Sequence, residues 1–281
     1  MKSISSRVAV VVPTHNRRVL SETTVKSLSA DGYPSKTIFV CDSDSTDGTR
    51  EAVSQYPNTV ALNVGSEKWW SGAVNAGIKK AFEENFEYVL LLNDDLNLPT
   101  HLVAKLVDIA QRHPKAIITA AQSVENKLFL GQRIVGPFRN RQEVIAPGRD
   151  PVDIDLINGC CLLVPVDVFQ KIGIIDEVRC PHLAGDNEFL LRARNAGFRL
   201  LVVPDVIVGQ GQRTDLRSRY CFRKLLTAPD SPYRLDTHLA IGRQMFGSWL
   251  GLAIFGVWYN MKYLLGLIKA SLIAVFRNRC I

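Results

Sequence analysis

Short unbroken apolar runs alternate with amphipathic stretches along most of this chain, and each run stops abruptly at polar residues. Val8 to Val12 is continuous and β-branched, as expected of a strand buried on both faces of a parallel sheet. It gives way to Pro13-Thr14-His15-Asn16-Arg17, and a helix is predicted from about Leu20 to Ala30. Thr37 to Cys41 repeats the pattern and ends in Asp42-Ser43-Asp44-Ser45-Thr46-Asp47-Gly48, and Thr59 to Leu62 is a weaker strand before Asn63-Val64-Gly65. A helix over about Ser71 to Glu84 carries Ala73, Ala76, Gly77 and Ala81, small residues that predict close packing. Tyr88 to Leu92 is the next strand, and the helix from Thr100 to Arg112 with the strand from Ala116 to Ala121 completes a fourth β-α unit. From Val124 to Asp155 the pattern loosens around Gly131, Gly136, Pro137, Pro147 and Gly148, as in a variable, hairpin-bearing segment that shapes a ligand pocket. Leu156 to Pro165 is another strand, and Val166 to Ile172 a short helix closed by Gly173. Asp186 to Ala196 is a helix stopped by Gly197. Leu200 to Val203 and Val206 to Val208 are the last strands of the core. This alternation implies an α/β fold with a doubly wound, mostly parallel sheet.

Polar clusters therefore follow three successive strands, at the carboxyl edge where open α/β sheets bind ligands. One such coincidence is ordinary; three point to a nucleotide-type ligand. The net charge of +7 also calls for an anionic partner: nucleotide phosphates, nucleic acid or an acidic membrane surface. A length of 281 residues fits one large α/β domain with an appendage, or two small domains. A hydrophobic content of 47% supports a sizeable core, and 22% charged residues exclude wholesale disorder. Six cysteines without CxxC spacing read as reduced, mostly buried thiols of a cytosolic protein, with no zinc site. Met1 to Arg7 runs straight into the first strand, so no signal peptide is expected.

The richest cluster is Asn93-Asp94-Asp95, where an apolar run meets two adjacent carboxylates. Their repulsion is relieved by a divalent cation, because Mg²⁺ or Mn²⁺ takes hard oxygen ligands and bridges carboxylate to phosphate. The structural alternative is an exposed turn in which Asp95 caps a helix starting near Pro99. In the loop after the second strand, Asp42 is assigned to a nucleobase N–H or ribose hydroxyl, with Asp44 on the same ligand-facing loop. Asp47 is assigned to structure, in an Asx turn and N-cap where Asp47 or Ser45 caps the helix that starts near Thr49. Trp69-Trp70-Ser71-Gly72 opens the helix carrying Asn75, and small residues at a helix N-terminus can admit a phosphate or sugar. The two Trp read more readily as core or lid aromatics than as sugar platforms. His182, Asp186 and Glu188 lie at or just before a helix start, where an acid either complements the dipole or serves as a general base.

Pro13-Thr14-His15-Asn16-Arg17, Asp42 through Gly48, Trp70 through Gly77 and Leu91 through Asp95 occur in the order of family-2 glycosyltransferases. Asn158 through Leu163, Gly173 through Glu177, and Gly185-Asp186-Asn187-Glu188 with Arg192 and Gly197 continue the resemblance, which spans about residues 7 to 210. It is similar to rhamnosyltransferase-like members that build bacterial surface polysaccharides. The resemblance implies a GT-A fold and inverting transfer of a sugar from a nucleotide-diphosphate donor to a hydroxyl of a lipid-linked or oligosaccharide acceptor. On this reading Pro13, Thr14, Asn16 and Arg17 line the nucleotide pocket, with Asp42 on the base and Asp44, Gly72 and Asn75 beside the donor. Asp95 holds Mg²⁺ or Mn²⁺, Asp94 assists, and Asp186 is the catalytic base. Three departures stand out. Asn93 replaces the first Asp of the metal motif, Gly185 replaces the usual Glu before the base, and Gln210 and Gln212 stand where many relatives supply a His.

Gln244 to Met261 is free of charged residues and rich in Trp, Leu, Ile and Phe, with Lys262, Lys269, Arg277 and Arg279 following. These features predict an interfacial helix at the inner face of the plasma membrane, with a spanning helix or a buried or dimer-forming helix pair as alternatives. The expected organisation is a catalytic domain over residues 1–210, a basic connector over 211–243 and an apolar helical appendage over 244–281. Nucleic acid is not expected among the partners; a homodimer is allowed. Two competing functions are a sugar-nucleotide pyrophosphorylase, disfavoured because the first loop is not a Gly-rich basic one, and a non-catalytic nucleotide-binding membrane scaffold.

Overall fold

A computed structural model describes residues 6–124, 127–136, 140–145, 148–210 and 226–247, with scattered positions from 261 to 272. The first half is built from β1 (Val8–Thr14), α1 (Arg18–Ala30), β2 (Lys36–Asp42), α2 (Thr49–Val53), β3 (Thr59–Asn63), α3 (Trp70–Glu83) and β4 (Tyr88–Leu92). Its strands run parallel in the order β3-β2-β1-β4, with Val8 opposite both Lys36 and Tyr88. Every residue of β1 is buried. Strand alternation divides them between two cores, as the pleat requires. Ala9 and Val11 join the layer with α3, while Val8, Val10 and Val12 join the one with α1. The α3 face lies so close that a Cβ on Gly77 would come within 2.5 Å of a Val11 methyl.

The chain continues through β5 (Leu96–Asn97), α4 (Leu102–Arg112), β6 (Ile117–Val124), β7 (Lys127–Phe129), β8 (Gln132–Val135), β9 (Asn140–Glu143) and β10 (Val152–Ile154). It closes with β11 (Cys161–Pro165), α5 (Val166–Ile172), α6 (Gly185–Asn195), β12 (Leu200–Gln210) and α7 (Leu235–Phe246). The sheet extends as β4-β11-β6-β12-β10. The loose segment does carry a hairpin, β8–β9.

Two sequence expectations change here. The strand placed over Leu156–Pro165 begins only at Cys161, and it runs antiparallel between β4 and β6. The freed stretch Leu156–Cys160 becomes a loop at the ligand edge. The two strands placed at Leu200–Val203 and Val206–Val208 are one strand, continued through a register shift between Val203 and Ile207. That extension carries Gly209 and Gln210 alongside β5, immediately after Asp95.

α7 belongs to the globular body, and the boundary drawn between residues 243 and 244 falls inside it. Ile241, Met245 and Phe246 enter the core, Gln244 donates to Glu188 at 3.1 Å, and Thr237 donates to the Arg179 carbonyl at 2.6 Å. Among the described residues no helix is long and apolar enough to cross a membrane. Residues 211–225 and 248–260, which contain Gln212 and most of the apolar run, lie outside the described residues.

Candidate active site

The loops after β1 and β2 are stitched to each other. His15 Nδ1 lies 2.7 Å from the Ser43 carbonyl, the Asn16 N–H donates to Ser45 Oγ at 2.8 Å, and the Thr46 N–H donates to Asn16 Oδ1 at 2.8 Å. Asn16 and Asp44 take left-handed backbone conformations, which their short polar side chains tolerate. Asp47 accepts from the backbone N–H groups of Arg18 and Thr49, a structural role, although the N-cap position of α2 is Gly48 and not Asp47 or Ser45.

Asp42 is fully buried. Its carboxylate accepts from the Ser45 N–H and hydroxyl, and pairs with Arg50 Nε at 3.2 Å. It lies beneath the loop, whereas Asp44 lies on its exposed side and accepts from the Ser66 N–H at 3.0 Å. Pro13 and Thr14 end β1 opposite Cys41 and Asp42.

The carboxylate pair after β4 divides in two. Asp94 turns inward and accepts from Thr14 Oγ1 at 2.8 Å, Ser21 Oγ at 3.2 Å and Arg17 at 2.7 Å. Burial raises its pKa, against the pull of Arg17 and Thr14. Asp95 turns outward. One of its oxygens lies 3.4 Å from Arg17, and the other, Oδ1, is enclosed without a hydrogen-bond partner. Burial alone would lower the Arg17 pKa, but the two carboxylates outweigh it and raise it. The guanidinium thus supplies much of the neutralisation that the sequence had reserved for a metal.

The third element is the start of α6. Asp186 sits in its first turn and accepts from the Gly159 N–H at 2.5 Å and the Asn187 N–H at 2.8 Å. Burial raises its pKa despite those bonds, which favour the charged form. A Cβ on Gly159 would stand 2.3 Å from the Asp186 Cβ, so only glycine lets the loop before β11 reach the carboxylate. Gly185 has an equally local cause: a Cβ there would lie 2.5 Å from Ser71 Oγ. Cys160, in the loop before β11, is buried. Burial pushes its thiol pKa well up, and the charges of Cys161, Asp186 and Asp95 add to the rise.

Several residues singled out in the sequence are scaffold. Asn75 is buried, donating to the Ile175 carbonyl and to Glu177 at 2.8 Å each and accepting from the Ile175 N–H. Glu188 is buried against Arg192, which also donates to the carbonyls of Ile172 and Ile174 and so shapes the approach to α6. Trp70 donates its indole N–H to Asn93 at 3.0 Å, giving the departure at Asn93 a structural use. Gly72 is packed closely by Lys68. The roles of Gly159 and Ser71 were not legible, because both depend on which loops the fold brings together. A cavity of about 160 Å³ bordered by Arg133, Asp153, Arg194 and Arg199 lies at the amino ends of β6 and β12, away from these groups. Among the described residues no three His, Cys, Asp or Glu side chains group as metal ligands.

Comparison with known proteins bears on family and fold. The family model for glycosyl transferase family 2 matches residues 9–173. An N-acetylglucosaminyl-diphospho-decaprenol L-rhamnosyltransferase of Mycobacterium tuberculosis is 28% identical over 199 residues, 60% of this chain and 64% of the relative. The low-salt glycan biosynthesis hexosyltransferase Agl10 of Haloferax volcanii is 24% identical, covering 64% of this chain and 60% of the relative. The chain thus spans somewhat under two thirds of the length of these curated relatives. Among solved structures, the mannosyltransferase PcManGT of Pyrobaculum calidifontis in complex with GDP-Man and Mn²⁺ superposes with a TM-score of 0.59 at 16% identity, covering 99% of this chain and 89% of its own. GalNAc-T7 with UDP, GalNAc and Mn²⁺ gives 0.61 at 16% identity, covering 74% and 44%. The fold is GT-A, a mostly parallel sheet flanked by helices.

Proposed function

The chain belongs to glycosyl transferase family 2, and from that premise we propose that it transfers a hexosyl or deoxyhexosyl unit, with inversion, from a nucleotide-diphosphate donor to a hydroxyl of a lipid-linked glycan. The reading rests chiefly on Asp186: a carboxylate at a helix start, held by two backbone N–H groups, with burial raising its proton affinity. Such a group takes the proton of the acceptor hydroxyl as the oxygen attacks the anomeric carbon. The new C–O bond forms as the bond to the donor phosphate breaks, and the nucleoside diphosphate leaves with the electron pair.

Arg17 places a cation at the carboxyl edge, where negative charge develops on the leaving group. Asp95 would hold Mg²⁺ or Mn²⁺, and the enclosed, unpartnered Oδ1 fits that role. One carboxylate is a sparse donor set, but Mg²⁺ commonly completes its shell with water and substrate phosphates. The bound cation would supply charge stabilisation for the departing diphosphate. Pro13, Thr14, Asn16 and Asp44 remain assigned to the nucleotide pocket. Asp42 and Asp94 support it from beneath.

The mycobacterial relative favours a rhamnosyl donor and a lipid-diphosphate sugar acceptor, as in surface polysaccharide assembly. Met261, Leu264, Leu265, Ile268 and Leu272 are helical and exposed with the spacing of one helix face, and Lys269 beside them is exposed. That face suits peripheral contact with the cytoplasmic leaflet. The test is transfer from dTDP-L-rhamnose, UDP- and GDP-sugars to N-acetylglucosaminyl-diphospholipid in mixed micelles. Product with an inverted anomeric centre, lost in Asp186→Asn while donor binding persists, supports the proposal. Undiminished transfer by Asp186→Asn would remove its base.

A further inference from the structure

Trp69 and His182 stand beside the reaction site with no part in the transfer as described. We propose that they form a sugar-ring subsite, in which His182 bonds a pyranose hydroxyl and Trp69 supplies the apolar wall; this rests on the transferase reading.

Four observations carry it. His182 Nδ1 is enclosed without a hydrogen-bond partner, although the side chain as a whole is only partly buried. A buried polar atom left unpaired costs stability, so its retention calls for a partner that arrives with the ligand. The ring is also held in place: it meets Trp69 edge-on, with centroids 5.5 Å apart at 67°. The strap that bears it is tied to the start of α3, because the Ser71 N–H donates to the Pro181 carbonyl at 2.9 Å and the Ser71 hydroxyl to the Cys180 carbonyl at 2.5 Å. Finally, Trp69 remains 39% exposed, while its neighbour Trp70 is committed to Asn93.

The location fits a sugar. His182 lies four residues before Asp186 on the same strap, and the charge of Arg17 reaches it. Burial lowers its pKa, with Asp230 opposing and Arg17 adding to the fall, so the ring is neutral near pH 7. A neutral imidazole offers one donor and one acceptor, the complement of a hydroxyl. A pyranose has an apolar C–H face and a hydroxyl rim, the two surfaces an indole and an imidazole can address together.

The chemistry is shared by the transferred sugar and the acceptor sugar, and the experiment separates them. Binding of dTDP-L-rhamnose, UDP-glucose, UDP-N-acetylglucosamine and GDP-mannose, and of bare dTDP, UDP and GDP, is measured calorimetrically for the full chain. His182→Ala, His182→Gln and Trp69→Leu are compared with wild type, alongside the acceptor KM with N-acetylglucosaminyl-diphospholipid. For a donor-sugar subsite, His182→Ala and Trp69→Leu weaken the bound nucleotide-sugar about tenfold and leave the bare nucleotide unchanged. For an acceptor subsite they raise the acceptor KM about tenfold with donor binding intact. In either case His182→Gln, which keeps a donor and an acceptor, recovers part of the loss. Equal weakening of bare nucleotide and nucleotide-sugar, or no change in any constant, overturns the subsite. A folded wild-type protein that binds none of the nucleotides defeats the transferase reading itself, and the subsite with it.

Discussion

The loops after β1 and β2 and those around β4, β11 and α6 share one sheet edge but treat their polar groups in opposite ways. In the first pair, Asn16, Ser43, Ser45, Thr46, Asp42 and Asp47 hydrogen-bond across and within the two loops, so this side of the edge is already formed. In the second, Asp95 Oδ1 and His182 Nδ1 are enclosed and unpartnered, and burial raises the proton affinity of Asp186. A fold that satisfies every polar group gains stability there; one that leaves some unsatisfied keeps them for a ligand. The contrast supports the proposed placement of the chemistry beside β4 and α6.

Substitutions can break that contrast from either side. The largest effect is expected from Asp186→Asn, which should lower kcat by about 10³- to 10⁴-fold, the upper range for a general base. Its melting temperature should hold or rise, because a buried carboxylate whose folded pKa is raised destabilises the fold when ionised. The same shift fixes the pH profile. As pH falls through the raised pKa the carboxyl gains a proton and can no longer accept one, so wild-type kcat/KM should fall on an acid limb above the ordinary aspartate range. Asp95→Asn comes next. Affinity for the nucleoside diphosphate in Mn²⁺ should drop about 10²-fold, the scale of a lost electrostatic contact in a site, again with little change in melting.

On the satisfied side the effects move to stability. Asp42→Ala opens the β2 loop and strands Arg50, and should cost about 2–3 kcal/mol in denaturant unfolding, less than a fully buried pair because Arg50 is part-exposed. Gly77→Ala should cost about 1–2 kcal/mol by pushing α3 off Val11. If Asp42→Ala instead left stability intact and removed nucleotide binding, Asp42 would belong to the open side and the contrast would be misdrawn.

The sheet was legible where burial on both faces leaves a continuous apolar run, so β1 and β4 were found almost to the residue. The antiparallel insertion of β11 was not, because an apolar run carries no direction. Nor was β12 legible as one strand, since Pro204 and Asp205 interrupt its pattern and only pairing with β6 and β5 restores it. At the site, residue types announced carboxylates but not their orientation. Asp94 and Asp95 are adjacent in sequence, yet the turn after β4 sends one inward to Thr14, Ser21 and Arg17 and leaves the other part-exposed at the edge. Repulsion between them argued for a metal; Arg17, 77 residues from Asp94, shows how a long-range partner can answer the same need. Gly159 and Gly185 acquire meaning only from the side chains that crowd them.

The most direct test of the open site is calorimetric titration of dTDP, UDP and GDP into the full chain with Mn²⁺ or Mg²⁺ and then with chelator, for wild type, Asp95→Asn and Asp186→Asn. One nucleotide should bind wild type in a metal-dependent way, with the dependence abolished in Asp95→Asn and binding retained in Asp186→Asn. Binding of no nucleotide by folded protein, or metal-dependent binding that survives Asp95→Asn unchanged, would contradict the account.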